Sequence, residues 1–454
     1  MQQINKIKQY THSVCEQIRW KKAHSVISEE IENHIIDQRD TFMKNGLDEI
    51  ASTNKAIEEM GDPVAVGLQF DRTYRPKIEW SMIFLTIIPL IIGLIVVFLT
   101  ENDSYTLTML YKNILSTMIG ILVLIAAYFI DFTIIGKFPK TLYILLSVIL
   151  LTMPFLFPYE INGRYYFLPF AMLLFPTIFS GIIYSMRNKG YAGVLLCGVF
   201  YMIPIIAIFF LEGTHSAVIS YSAACLILLT IAIYKNWFPV RRLYAMLITY
   251  IPVSIAIVLA YLKILNTGYL LHRFQVLFHP YTDPRGSGYL TLQIRTILKD
   301  AKIWGRSDMG LDFISGTYNT DYFLTNVLHN FGWIAFIGII AILSAFIIRG
   351  FFLCAKQKSI LGRLVSTSVL LTFTIQTVSY IVTNLGFYIL PPLSLPLLSY
   401  GNTGKIINLG LIGILLSVFK SKDVVRDKCW TVSCERHRLF EFVDGKLIID
   451  LNFK

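Results

Sequence analysis

Ten stretches of about 20 residues each carry almost no charge, and each is long enough to cross roughly 30 Å of hydrocarbon as a helix. They fall near residues 81–99, 113–131, 141–158, 166–184, 191–211, 215–234, 243–264, 322–348, 364–388 and 404–419. A chain with this pattern cannot close into a water-soluble globule, because every segment presents apolar surface on all its faces. Composition agrees: only 15% of the 454 residues are charged, against roughly 25% for a soluble domain. The expected fold class is all-α, a polytopic membrane protein of about ten transmembrane helices.

Loop charge sets the expected orientation, because cytoplasmic loops are enriched in Lys and Arg. One side carries Lys137 and Lys140, Arg187 and Lys189, Lys235, Arg241 and Arg242, and Arg349, Lys356, Lys358 and Arg363. The short loops opposite hold Glu101, Asp103, Glu160 and Glu212. Both termini are therefore expected in the cytoplasm of a multi-pass cell-membrane protein. The same asymmetry accounts for the net charge of +11 without nucleic acid as a partner.

Three regions follow. Residues 1–79 are polar, have no signal peptide, and read as a small cytoplasmic helical domain. Ile27, Ile31 and Ile35 recur at helical spacing, and a second amphipathic segment over 47–60 stops at Gly61-Asp62-Pro63. A helical hairpin packed on itself is the expectation. Residues 80–420 form the transmembrane region, and 421–454 a cytoplasmic tail with a hairpin around Asp444-Gly445. The six cysteines show no disulfide framework. Cys429, Cys434 and His437 have the wrong spacing for a zinc site.

One loop is long. Residues 265–321 form a large outer loop between spans 7 and 8, and loops of this length are usually functional. Ionisable residues at the membrane boundary are the default candidates for chemistry. Asp321 opens the expected eighth span, where it reads either as a helix N-cap or as a catalytic carboxylate. Arg164 sits in a short outer loop beside aromatics. Arg273, Arg285, Arg295, Lys299, Lys302 and Arg306 make the large loop basic. That pattern suits an anionic ligand or lipid head groups.

Four segments in order resemble the FtsW/RodA/SpoVE family of cell-wall polymerases. They are Asn162-Gly163-Arg164-Tyr165 followed by Phe175-Pro176-Thr177, then Arg273 to Gln293 with Asp283-Pro284 and Gly286-Ser287-Gly288-Tyr289. Thr320-Asp321-Tyr322-Phe323 with Gly332-Trp333-Ile334 comes next, and then Leu395-Pro396-Leu397-Leu398-Ser399-Tyr400-Gly401. The chain departs from the family pattern at several points. His329-Asn330 replaces a Glu pair, Gly401-Asn402-Thr403-Gly404 replaces Gly-Gly-Ser-Ser, and Leu174-Phe175 and Thr177-Ile178 stand where the family has Gln and Ser-Glu. The stretch from Asn384 to Pro396 is also shortened. Residues 1–79 separately resemble the helical prefix ahead of some bacterial permeases, which implies a docking or regulatory role.

The family resemblance implies a peptidoglycan glycosyltransferase that polymerises lipid II, as donor and acceptor, with inversion on the outer face of the membrane. It implies Asp321 as the catalytic base. Arg164, Arg273, Arg285, Arg295, Ser399 and Tyr400 would contact pyrophosphate or sugar, and a divalent cation such as Mg would be a candidate cofactor. The implied partners are a separate class B penicillin-binding transpeptidase and a cytoplasmic division or elongation factor reached through the prefix. Two other readings remain at this point: a non-catalytic scaffold or regulator of wall synthesis, and a flippase or transporter for a lipid-linked precursor. The absence of repeated halves argues against the transporter.

Overall fold

The computed structural model describes residues 2–100, 104–157, 160–161, 164–211, 215–308, 319–387, 393–421, 440–443 and 446–449. Four helices precede the first span: α1 (Gln2–Glu16), α2 (His24–Lys44), α3 (Glu49–Met60) and α4 (Pro63–Tyr74). Ile27, Ile31 and Ile35 are fully buried as their spacing requires, together with Val14, Ile18 and Ala56. The expected hairpin is thus half of a four-helix unit. Gly61-Asp62-Pro63 ends α3 through Gly61 at φ 82° and also starts α4. The Asp62 carboxylate accepts the Ala65 N–H at 3.0 Å, and Pro63 occupies the first helical position. The same three residues carry both signals.

Among the described residues ten helices are long and apolar enough to cross a membrane, and the chain is a multi-pass membrane protein. Spans 1 to 7 are Trp80–Thr100, Leu110–Phe129, Pro139–Leu156, Leu168–Met186, Gly190–Phe210, His215–Tyr234 and Arg242–Asn266. Spans 8 to 10 are Trp333–Ala355, Ile360–Asn384 and Asn402–Lys420. Spans 4, 9 and 10 are mostly buried inside the bundle, whereas span 7 lies at its edge with Ala245 as its buried residue. The described strands make two hairpins, Glu160–Ile161 with Arg164–Tyr165 and Phe440–Val443 with Lys446–Ile449. The second is the tail hairpin expected around Asp444-Gly445. Cys429, Cys434 and His437 lie outside the described residues.

Spans 2 and 10 run parallel. Gly120 admits Leu409, Gly413 admits the Leu124 carbonyl, and the Ser417 hydroxyl donates to Ile130 O at 2.7 Å. Small residues let helix backbones approach closely in a bilayer, where no hydrophobic force drives helices together and packing must hold them. An ion pair at 3.1 Å joins Lys22, between α1 and α2, to Asp131 at the end of span 2. Arg349 of span 8 reaches Glu79 at 3.7 Å and the Ser81 hydroxyl at 3.0 Å. The first contact fastens the four N-terminal helices to one end of the bundle, and the Arg349 contacts tie span 8 to the start of span 1 at that end.

The eighth span differs from its expected bounds of 322–348. The segment between spans 7 and 8 contains α5 (Gly268–Phe278), α6 (Tyr289–Asp300) and α7 (Phe323–Phe331), and the eighth span begins only at Trp333. An apolar run cannot reveal a break within it, and the break rests on one residue. Gly332 adopts φ 83°, ψ −176°, a region essentially confined to glycine. A Cβ there would lie 2.6 Å from Lys302 O and 2.7 Å from Ile303 O. Those two carbonyls accept the Trp333 and Ile334 N–H groups at 3.1 and 3.3 Å. Gly332→Ala is expected to destabilise the folded protein by about 1–3 kcal/mol, read as a lowered midpoint in thermal unfolding of the detergent-solubilised chain.

Candidate functional site

Asp321 precedes α7 rather than opening a span, and it does not cap that helix. The free N–H groups at the start of α7 are taken by side chains of span 9. Phe323 N–H donates to the Tyr380 hydroxyl oxygen at 2.8 Å, and Thr325 N–H donates to Asn384 Oδ1 at 3.0 Å. Tyr380 in turn donates its hydroxyl hydrogen to Thr320 O at 2.7 Å. Asn384 Nδ2 donates to Asp321 O at 3.1 Å and to Tyr380 O at 3.0 Å. The Thr325 hydroxyl adds a 2.9 Å bond to Asn384 Oδ1. Both Tyr380 and Asn384 are fully buried. The backbone on each side of Asp321 is therefore fixed by one face of span 9.

The carboxylate itself is left unengaged. No described residue donates a hydrogen bond to it, and burial pushes its pKa up from 3.8 to about 6. Protons are thus exchanged by this group close to neutral pH, where a general base is most effective. The cap is supplied by Tyr380 and Asn384, so the Asp321 carboxylate is not used in capping α7.

The Leu395–Gly401 segment meets the same turn. Tyr400 N–H donates to Asn319 O at 2.8 Å, and Asn319 Oδ1 accepts from Asn326 Nδ2 at 2.9 Å. Asn326 Oδ1 accepts from Asn330 Nδ2 at 2.7 Å, closing a chain of amides along α7. Ser399 is buried, and its hydroxyl donates back to Leu395 O at 3.1 Å. Ser399 thus shapes the turn, while Tyr400 ties it to the Asp321 loop.

The arginines are distributed unevenly. Arg273 is exposed on α5, with its guanidinium 5.6 Å from the Tyr269 ring. Arg285 is exposed in the turn Asp283–Gly288, which is held open by the Asp283 carboxylate. That carboxylate accepts the Gly286 N–H at 3.0 Å and the Ser287 N–H at 2.8 Å, and it pairs with His272 of α5 at 3.6 Å. The Ser287 N–H holds the Asp283 carboxyl below its usual range against the opposing effect of burial, with His272 and the Gly286 N–H adding to it. A side chain at Gly286 would collide with this carboxylate, and one at Gly288 with Pro280 O. The Gly-Ser-Gly pattern is thus the physical requirement of one tight turn, which carries Arg285 and is tied to α5 through His272.

Arg295 on α6 is half-buried. Its Nε donates to Gly386 O at 3.2 Å and its guanidinium lies 5.3 Å from the Phe387 ring, so it braces the end of span 9. The backbone of Arg164 pairs with Ile161 in the first hairpin, and its side chain lies outside the described residues.

Two residues that sequence reading passed over belong here. Tyr380 and Asn384 stand four apart on one face of an apolar span. The default suspicion attached to intramembrane polar groups would have found both. For a divalent cation the fit is poor. Asp321 is the carboxylate of the turn, and no group of three His, Cys, Asp or Glu residues able to hold a metal occurs among the described residues.

Comparison with known proteins agrees with this architecture. The chain is 26% identical over 182 residues to the peptidoglycan glycosyltransferase MrdB of Escherichia coli strain K12, covering 37% of this chain and 48% of that one. It is 25% identical over 161 residues to the stage V sporulation protein E of Bacillus subtilis, covering 34% and 43%. The matched part of the chain therefore spans about half the length of these curated relatives. A chain of a solved peptidoglycan synthase complex superposes with a TM-score of 0.63 at 16% identity, over 77% of this chain and 99% of that one. Residues 77–423 match the family of FtsW, RodA and SpoVE, described as cell cycle protein. With that match running from just before the first span to just past the last, the chain belongs to the FtsW/RodA/SpoVE family.

Proposed function

We propose that the chain is a peptidoglycan glycosyltransferase that polymerises lipid II, in cell shape, division or sporulation. The observation that carries this reading is the unengaged, burial-shifted carboxylate of Asp321, held by Tyr380 and Asn384 at the end of the bundle that bears the large loop. The acceptor sugar 4-hydroxyl attacks the donor anomeric carbon, a C–O bond forms, and the bond to the lipid pyrophosphate breaks with inversion. Asp321 takes the hydroxyl proton as the nucleophile attacks. Arg273 and Arg285 receive the charge that develops on the pyrophosphate, since a guanidinium fork suits phosphate oxygens. The names of the curated relatives, peptidoglycan glycosyltransferase and sporulation protein, support the same assignment.

The chemistry requires the Asp321 end to face outward and both termini to lie in the cytoplasm. A reporter fused after Gly288 is expected to read as outside the cell, and one after Lys420 as inside. A cytoplasmic Gly288 would place the carboxylate on the wrong side of the membrane and end the proposal.

The direct test is formation of glycan chains from purified lipid II by the full-length protein, with and without a class B penicillin-binding transpeptidase. The structural neighbour from a peptidoglycan synthase complex makes such a partner reasonable. Arg273→Ala and Arg285→Ala are each expected to slow the reaction by about 10–100-fold, the loss of one charge-assisted contact. The four N-terminal helices, anchored through Lys22 and Asp131, are proposed as a cytoplasmic module that receives a division or elongation factor. A protein that binds the transpeptidase but forms no glycan would be a scaffold instead.

A further inference from the structure

Lys405 lies in the first turn of span 10, only 2% exposed. Its Nζ donates to Asn113 Oδ1 of span 2 at 2.5 Å and reaches the Thr117 hydroxyl oxygen at 3.5 Å. Both partners are neutral, and no carboxylate pairs with this lysine among the described residues. Around it the polar accounts do not balance. Asn113 and Asn408 are each fully buried, yet Asn113 Nδ2 and both amide atoms of Asn408 have no hydrogen-bond partner among the described residues. Asn408 follows Lys405 by three positions, which places the two side chains on one face of span 10. Asn113 and Thr117 likewise share one face of span 2.

The Lys405 face of span 10 and the Asn113 face of span 2 thus carry an ammonium, two amide N–H₂ groups and one amide oxygen, that of Asn408. Buried donors of this kind are almost always paired, and a buried cation is paired or neutralised. Water would satisfy the amides but not the charge. We infer that Lys405, Asn113 and Asn408 bind a single small anion between spans 2 and 10, either a free halide or one oxygen of a lipid-borne phosphate. Lys405 supplies the charge, and the two Nδ2 groups supply directed hydrogen bonds. The anion fastens the helix that follows Ser399 and Tyr400 to the parallel span 2. This inference does not rest on the polymerase reading, because its halide arm involves no substrate.

The test is thermal unfolding of the purified full-length protein in detergent at fixed ionic strength. In one arm gluconate is replaced by chloride, and in the other a polyprenyl monophosphate is added in gluconate. Ligand linkage predicts a rise in apparent Tm of about 2–4 °C in at least one arm, and the responding arm identifies the source of the anion. Lys405→Met and Asn408→Leu should lose that response. Asn113→Asp supplies an internal carboxylate next to Nζ, so its Tm should become independent of both additions. A wild-type protein that responds in neither arm would overturn the inference. So would an Asn113→Asp variant that responds as wild type does.

Discussion

Asp321→Asn is expected to lower the rate of glycan polymerisation from lipid II by about 10²–10⁴-fold, the usual range for removal of a general base, with the fold retained. Retention follows from the hydrogen bonds around α7. The N–H groups of Phe323 and Thr325 are satisfied by Tyr380 and Asn384, and the Asp321 carbonyl by Asn384 Nδ2. None of these bonds uses the Asp321 side chain, so the isosteric amide removes a base and nothing structural. An Asp321→Asn protein that polymerises at wild-type rate would remove the carboxylate from the mechanism.

Stability should move in the opposite direction to activity. The unfolded chain releases the Asp321 proton near 3.8 and the folded chain near 6. A carboxyl whose pKa is raised by folding is bound more favourably in its protonated form. Its contribution is therefore favourable below about 4 and is progressively lost as pH rises through 6. Asp321→Asn should flatten this part of the pH–stability profile and make the protein more stable than wild type above pH 6. Polymerisation by the wild type should rise across the same interval, because the base must be unprotonated. Thermal midpoints and initial rates measured from pH 5 to pH 8 report both trends.

The membrane architecture was legible because apolar length is a direct physical requirement of the bilayer. All ten spans were placed, with their ends displaced by a few residues except at span 8. There the apolar run continued through Gly332, and only its backbone dihedral separates a short buried helix from the span proper. Four helices stand where a hairpin was expected at the N-terminus. Asp62-Pro63 signals a stop after Gly61, but an N-cap carboxylate before a proline is equally a start. Asp321 was identified as the residue to watch, but its competing role as a cap could not be settled locally. The groups that displace it lie about 60 positions later, on a different span. Side chains recruited across the bundle leave no trace in the spacing around the residue they support.

Asn384 is the residue whose loss should do the most structural damage. Its amide makes bonds to Thr325 N–H, the Thr325 hydroxyl, the Asp321 carbonyl and the Tyr380 carbonyl, all within 3.1 Å, and it is fully buried. Asn384→Leu keeps the volume and removes every one of these partners. Each buried group left unpaired costs about 1–3 kcal/mol. The Thr325 N–H has no replacement within α7, since the first N–H groups of a helix lack intrahelical acceptors. The expected loss is about 2–4 kcal/mol in unfolding free energy, read as a lowered thermal midpoint. Polymerisation should fall as well, because the Asp321 carbonyl loses the donor that fixes its turn. Asn384→Asp separates the two effects. Its carboxylate oxygens can still accept from Thr325 but cannot donate to Asp321 O, so α7 should remain capped while the turn loosens. An Asn384→Asp protein with near-wild-type stability and sharply reduced polymerisation would identify Asn384 as a positioning residue for Asp321. Equal activity at equal stability would confine it to capping α7.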